Sequence, residues 1–141
     1  MAGPVPHRYL LDSDTLSDLV RNPHGAVARM IARRGEDSVA TSVVVAAELR
    51  YGAVKRQSSR LSTRLDAVLR EIAVLPLEPG IEMHYAELRV ALERAGRSIG
   101  GNDMLIAAHA LAADLVLVTG NVREFERVPM LDVVNWIASD A

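Results

Sequence analysis

Four acidic side chains stand at or beside hydrophobic segments of this sequence, where carboxylates are uncommon. Asp12 and Asp14 follow an apolar run, Glu48 lies within Ala-Ala-Glu-Leu-Arg, and Asp103 precedes Met-Leu-Ile-Ala-Ala. An isolated carboxylate is costly to remove from water unless it is paired or binds a metal ion. We therefore predict that these residues form a divalent-metal site.

The donor set of this site selects the kind of metal. The chain has no cysteine, which excludes thiolate zinc sites, disulfides and cysteine nucleophiles. Its histidines are not paired at ligand spacing, so oxygen donors remain, and these favour Mg²⁺ or Mn²⁺. Both ions bridge phosphate oxygens, which suits phosphodiester hydrolysis.

A cluster of basic residues follows Glu48. Between Leu49 and Leu65 there are no acidic residues and five basic ones, Arg50, Lys55, Arg56, Arg60 and Arg64. Alone, such a segment is most often a solvated helix face. Beside a metal site it is also a candidate track for phosphates, and we predict that Arg50, Lys55 and Arg56 bind those that flank the scissile bond.

Length and composition bound the class of protein. With 141 residues the chain is expected to be one domain with a sizeable core. The net charge of −2 does not by itself indicate a nucleic-acid binder. There is no apolar run of about 18 residues and no basic leader, so we expect a soluble, cytoplasmic protein without membrane contact.

Hydrophobic periodicity predicts alternating strands and helices. Strands are predicted at residues 8–11, 38–41, 73–77, 115–119 and 130–134, and helices at 13–20, 24–34, 43–56, 58–72, 82–95 and 103–113. The segment at 58–72 is expected to continue the preceding helix. This alternation indicates an α/β fold with a small, mostly parallel central sheet flanked by helices on both sides.

In such sheets, ligands bind beyond the carboxyl ends of the strands. Asp12 ends the first predicted strand and Asn121 follows the fourth, while Glu48 and Asp103 lie on helices that begin near that edge. The four residues are far apart in sequence, so only the fold can bring them together.

Three other residues invite a functional interpretation. His109 lies nearly opposite Asp103 around its helix, which favours a packed core or interface histidine over a ligand. Gly52 in a helix interior costs roughly 1 kcal/mol relative to alanine, and we interpret it as a site of close helix approach. Trp136 is expected to pack in the core, although it could stack on a base.

Four segments resemble, in order, the motifs of PIN-domain proteins and, more narrowly, of the VapC toxins of VapBC toxin–antitoxin systems. They are Leu11-Asp12-Ser13-Asp14-Thr15-Leu16, Ser42 through Ala47-Glu48-Leu49-Arg50-Tyr51-Gly52, Gly101-Asn102-Asp103-Met104-Leu105-Ile106-Ala107-Ala108-His109-Ala110, and Val118-Thr119-Gly120-Asn121 through Glu124-Phe125. They span nearly the whole chain.

The resemblance implies a Mg²⁺- or Mn²⁺-dependent endoribonuclease that cuts structured RNA such as tRNA or rRNA. It also implies a homodimer that is silenced by a cognate VapB antitoxin. Asp12, Glu48 and Asp103 match the acidic core of the family: Asp12 and Asp103 would hold the metal, and Glu48 would bind it or act as general base. The fourth acidic position falls on Asn121, which brings no charge, and Asp14 would restore that charge if its side chain turns inward.

Two hydroxyl residues complete the predicted site. Thr119 and Ser42 are candidates for orienting the carboxylates or the scissile phosphate. A strand end for Thr119 and a helix cap for Ser42 explain these residues equally well.

Two other functions are consistent with parts of the sequence. Asp12-Ser13-Asp14-Thr15 resembles the nucleophile motif of haloacid-dehalogenase-like phosphatases. That family also needs a downstream lysine and late paired aspartates, whereas Lys55 is the only lysine here and Gly120-Asn121 lacks the acids. The second alternative is a degenerate PIN-like module that binds RNA or a partner without cutting. Metal-dependent cleavage of RNA distinguishes the three.

Overall fold

Five strands form the central layer of the protein in the computed structural model, which describes residues 7–137. They are β1 (Tyr9–Leu11), β2 (Val39–Ser42), β3 (Ala73–Leu75), β4 (Val116–Val118) and β5 (Val133–Val134). Their order across the sheet is β3-β2-β1-β4-β5, and every neighbouring pair is parallel. The predicted α/β class is confirmed.

Seven helices in the described residues connect these strands. They are α1 (Ser13–Arg21), α2 (Ala26–Arg34), α3 (Val43–Lys55), α4 (Ser59–Glu71), α5 (Ile81–Arg94), α6 (Gly101–Ala112) and α7 (Val122–Phe125). The sequence did not predict α7 or the short 3₁₀ turn Glu36–Ser38. Both are shorter than two helical turns and carry no hydrophobic periodicity.

The expected continuation of α3 into α4 was wrong. Gln57 adopts a left-handed conformation with φ 52°, which interrupts the helical path. Ser58 then caps α4, because its hydroxyl accepts a hydrogen bond from the backbone N–H of Leu61 at 3.1 Å. The two helices are therefore separate and pack against each other.

The centre of the sheet is the centre of the core. Leu10, Leu11, Leu117 and Val118 on β1 and β4 are fully buried, as expected for parallel strands covered by helices on both faces. Trp136 is also buried, with its ring 4.8 Å from that of Tyr9. Trp136 is thus a core residue.

Strand register fixes which residues meet at the carboxyl edge. Leu11 pairs with Thr41 on β2 and with Val118 on β4. The next residues in each strand direction, Asp12, Ser42 and Thr119, therefore converge at one edge, where α1 and α3 also begin. Across the described residues, none of the helices has the length and apolar character to cross a bilayer.

Candidate metal centre at the carboxyl edge of the sheet

Asp12 is the most buried acid of this edge, with 6% of its surface exposed. Its Oδ2 accepts a hydrogen bond from the Thr119 hydroxyl at 2.8 Å, whereas its buried Oδ1 has no hydrogen-bond partner. Burial raises the pKa of Asp12 to about 6 even though the bonds from Thr119 and from the Ser13 backbone oppose the rise. A buried carboxylate oxygen without a donor is suited to accept a cation.

Asp103 lies in the first turn of α6 and is half-buried. Burial raises the pKa of Asp103 to about 7, and the charges of Glu124, Asp12 and Glu48 raise it further. Such mutual repulsion means that these four carboxylates share one site. A divalent cation would relieve both the repulsion and the cost of burial.

Glu48 reaches the site from α3, one turn after its start. Ser13 on α1 donates a hydrogen bond from its hydroxyl to Glu48 Oε1 at 2.7 Å. The two helices that begin at the carboxyl edge are thereby linked, and one carboxylate oxygen of Glu48 has a fixed position.

Glu124 belongs to the site although the sequence did not predict it there. Its charge raises the pKa of Asp103 more than the charge of Asp12 or of Glu48 does. Asn121 donates from its side-chain amide to Glu124 Oε2. Glu124, not Asn121, is therefore the better candidate for the fourth acidic position, and Asn121 orients it. Asn121 and Glu124 are three residues apart, a spacing that brings side chains together on a helix. The sequence did not predict this contact because it did not predict α7.

Asp14 turns towards the loop after β4. Its Oδ2 accepts a hydrogen bond from the backbone N–H of Gly120 at 2.9 Å, and its Oδ1 accepts one from the Thr15 hydroxyl at 3.1 Å. A Cβ at Gly120 would lie 2.7 Å from Asp14 Oδ2, so a larger residue here would displace the carboxylate from this hydrogen bond. Asp14 holds the loop in place, while its charge still contributes to the raised pKa of Asp12.

The two predicted hydroxyls have different partners. Thr119 donates to Asp12 and so orients that carboxylate. Ser42 caps α3, because its hydroxyl accepts a bond from the Val44 N–H at 3.1 Å, and it also contacts Nδ1 of His109 at 2.9 Å. His109 is only 2% exposed, and burial lowers its pKa. It is a core histidine that links α6 to α3.

The three residues predicted to bind phosphate have different surroundings. Arg50 forms an ion pair with Asp66 of α4, and the Lys55 ammonium lies 5.6 Å from the centre of the Tyr51 ring. Arg56 instead lines a groove that also contains Glu48 and Asp14. The structure thus places one of the three in the cavity into which the acidic site opens.

We call this cavity of about 370 Å³ the α1–α3 groove. It is lined by Ser13, Asp14, Ser17, Val20, Arg21, Glu48, Leu49, Gly52, Arg56, Leu61 and Leu65. The interpretation of Gly52 as a site of close helix approach was wrong, because a Cβ there would meet no atom within 4 Å.

The acids fit a hydrated ion better than a dehydrated one. Within residues 7–137, no three acidic or histidine side chains are gathered tightly enough to enclose a metal by themselves. Mg²⁺ does not need such an enclosure, because it usually keeps several waters and takes one or two carboxylates directly. The free oxygen of Asp12 and the raised pKa of Asp103 match that coordination.

Comparison with known proteins identifies relatives along nearly the whole chain. The PIN domain family profile matches residues 9–131. Ribonuclease VapC2 of Rickettsia felis is 34% identical over 130 residues, which cover 91% of this chain and 97% of that protein. The tRNA(fMet)-specific endonuclease VapC of Shigella flexneri is 32% identical over 130 residues, covering 92% of this chain and 98% of that protein.

Solved structures agree with these sequence relatives. The crystal structure of VapBC2 from Rickettsia felis bound to a DNA fragment from their promoter matches with a TM-score of 0.82 and 32% identity. That match covers 91% of this chain and 98% of the other.

Proposed function

We propose, because the chain belongs to the PIN-domain family and within it to the VapC ribonucleases, that it is the toxin of a toxin–antitoxin pair. It is an endoribonuclease that hydrolyses phosphodiester bonds in RNA, and a cognate VapB antitoxin neutralises it. The observation that supports this function most directly is the unpartnered, buried Asp12 Oδ1 beside Asp103, Glu48 and Glu124. Its place of action is the cytoplasm.

Asp12 and Asp103 are the residues that would bind Mg²⁺ or Mn²⁺ directly. Glu124 and Glu48 would complete the site through direct contacts or bound water. When bound, the ion polarises a water molecule and neutralises charge on the scissile phosphate.

The surrounding residues set the positions of these acids. Thr119 holds one oxygen of Asp12 and leaves the other free, and Asn121 holds Glu124. Ser13 holds one oxygen of Glu48, so its second oxygen is available to accept a proton from the attacking water. Glu48 is therefore the general base of the proposed reaction.

Structured RNA, with tRNA as the first candidate, is the proposed substrate. The VapC of Shigella flexneri, which covers nearly the whole chain, is named for its action on tRNA(fMet). Ribosomal RNA is the second candidate. Proteins select among such RNAs by loop shape and by stacking on unpaired bases.

The test is cleavage of an initiator tRNA transcript by purified, metal-depleted protein. We expect cleavage to require added Mg²⁺ or Mn²⁺ and to produce internal cuts, which sequencing of 5′ ends locates. Release of phosphate from p-nitrophenyl phosphate would instead support the phosphatase alternative. Binding of the tRNA, with no cutting of it or of bacterial rRNA under either metal, would identify the degenerate binding module.

An apolar cavity offers a surface for the antitoxin. It measures about 550 Å³ and lies between α1, α2 and α4, where Leu19, Ile31, Val68 and Ile72 line it. We propose that an apolar segment of VapB binds there while an arginine of VapB pairs with the acidic site and displaces the metal. Inhibition that is unchanged when VapB lacks its basic residues would contradict metal displacement.

We also propose that the chain is a homodimer. Val43, Tyr51 and Val54 lie along one side of α3 and are 41%, 65% and 73% exposed. Several exposed apolar residues on one side of a helix favour association with a second copy. We expect light scattering to give twice the mass of the 15.3 kDa chain and Val54→Asp to shift the protein to the monomer. A parent protein with the mass of one chain would contradict this.

A further inference from the structure

Two helices form matching walls of the α1–α3 groove. Glu48, Gly52 and Arg56 follow one another at intervals of four residues along α3 and its C-cap, and Ser13, Ser17 and Arg21 do the same along α1. Residues four apart lie on one helix face, about 6 Å from each other along the axis. The groove therefore runs from the acidic site to a pair of arginines.

The two ends of the groove carry opposite charge. Glu48 and Asp14 stand at the end that meets the metal centre, and Arg21 and Arg56 stand at the other. Within residues 7–137, neither arginine has a carboxylate partner, in contrast to Arg50. Both guanidinium groups are therefore available to an anion from outside the chain.

The floor between these ends is apolar. Val20, Leu49, Leu61 and Leu65 line it. A surface of this kind accepts the face of a base or a ribose, while charged groups beside it bind phosphate.

Gly52 keeps the middle of the groove open. It lies in the interior of α3, where glycine is less favourable than alanine, yet no neighbouring atom lies within 4 Å of where a Cβ would be. Packing and backbone conformation therefore do not require glycine here. What a side chain at this position would occupy is the space of the groove itself.

We propose that the α1–α3 groove binds the RNA nucleotide next to the scissile phosphate. The base or ribose of that nucleotide lies over Gly52 and the apolar floor, and Arg56 with Arg21 binds the following phosphate. This inference rests on the proposed ribonuclease function and specifies how the same site holds its substrate.

RNA fits this groove better than a protein segment does. An arginine side chain of a partner would satisfy the acidic end, but it would be repelled by the two arginines at the other end. A polynucleotide has a phosphate for each end. The arginines would bind one phosphate, and at the acidic end a metal ion would offset the repulsion between the carboxylates and the other phosphate. The same groove as a site for the antitoxin is the competing outcome of the experiment.

The first test fills the groove at Gly52. We expect Gly52→Ala to raise the midpoint of thermal unfolding by a few degrees, because alanine favours the helix, and yet to lower kcat/KM for initiator tRNA about tenfold. Gly52→Leu should lower it about a hundredfold, mainly through KM. Thr63→Leu places the same side chain at an exposed position of α4 outside the groove and should cleave like the parent.

The outcomes separate the subsite from the function itself. If the parent cleaves and Gly52→Leu cleaves at the same kcat/KM, the nucleotide subsite is wrong and the ribonuclease function stands. If Gly52→Leu cleaves normally but escapes inhibition by cognate VapB, the groove belongs to the antitoxin. A parent that cleaves no RNA with either metal would overturn both. Unchanged Mn²⁺ affinity in Gly52→Leu shows that the metal centre is intact.

The second test removes the arginines. Arg56→Ala and Arg21→Ala should each raise KM for the tRNA several-fold. Each should also reduce the slope of log KM against log salt concentration by about 1, the value expected for the loss of one phosphate contact. Arg60→Ala and Arg64→Ala on α4 lie outside the groove and serve as matched controls. Equal effects of all four substitutions would indicate general electrostatic attraction and would overturn the assigned phosphate contact.

Discussion

Asp103→Asn is expected to lower cleavage of initiator tRNA by more than about 100-fold. Even residues that only orient metal ligands typically change metal affinity or activity 10- to 100-fold, and a direct ligand should matter more. The substitution also removes the charge whose repulsion by Glu124, Asp12 and Glu48 contributes to its raised pKa. Initial rates at saturating Mn²⁺, measured with matched protein concentrations, test this expectation.

A graded series of variants serves as the control for that result. Asp12→Asn should be as damaging as Asp103→Asn, and Glu124→Gln should raise the Mn²⁺ concentration for half-maximal cleavage more than Asp14→Ala does. The reason is that Glu124 faces Asp103 while Asp14 is bonded to the Gly120 backbone. Parental activity in Asp103→Asn would refute the site. If Asp14→Ala raises the required Mn²⁺ concentration more than Glu124→Gln does, Asp14 and not Glu124 is the fourth acid of the site.

Metal-free protein is expected to lose stability as the pH rises from about 4 to about 7. In the folded state the pKa of Asp12 is about 6 and that of Asp103 about 7, both above the ordinary value of 3.8. The folded protein therefore binds more protons than the unfolded chain in this range, and the free energy of unfolding must fall with rising pH. Below pH 4 both carboxyls are protonated and cost the folded state nothing. Above pH 7 both are ionised, and the loss of stability is complete.

The size of the effect follows from the burial of Asp12. Its raised pKa corresponds to roughly 3 kcal/mol at pH 8, as an upper estimate for a single buried group. Asp12→Asn should remove most of that penalty, because an amide oxygen can still accept the Thr119 hydrogen bond. We expect the variant to be more stable than the parent at pH 8 and close to it at pH 4.

Urea unfolding in EDTA at the two pH values measures this difference. The comparison therefore reports mainly on Asp12. Loss of the Asp12 charge also lowers the pKa of Asp103, which stabilises the variant at pH 8 in the same direction. Adding Mn²⁺ at pH 8 should stabilise the parent and leave Asp12→Asn nearly unchanged, because only the folded parent binds the ion tightly. A variant that is less stable than the parent at pH 8 would show that Asp12 is a structural carboxylate.

The sequence was sufficient for features that depend on near neighbours in the chain. Apolar runs and helical periodicity predicted every strand and six of the seven helices described, with bounds that shift by a few residues. The placement of Asp12, Glu48 and Asp103 at the ends of such elements indicated a shared edge, because parallel strands bring their carboxyl ends together. The Ser42 cap of α3 is likewise a local choice of backbone and side chain.

Only the tertiary structure decided which of these residues touch. The four-residue α7 has no periodicity of its own, so Glu124 emerged only when its packing placed it beside Asp103. The ion pair between Arg50 and Asp66 depends on how α3 packs against α4. The open space beside Gly52 exists because no other element packs against that position. Partners of this kind lie far apart in the chain, and their distance is set by strand register and helix packing, which no local pattern encodes.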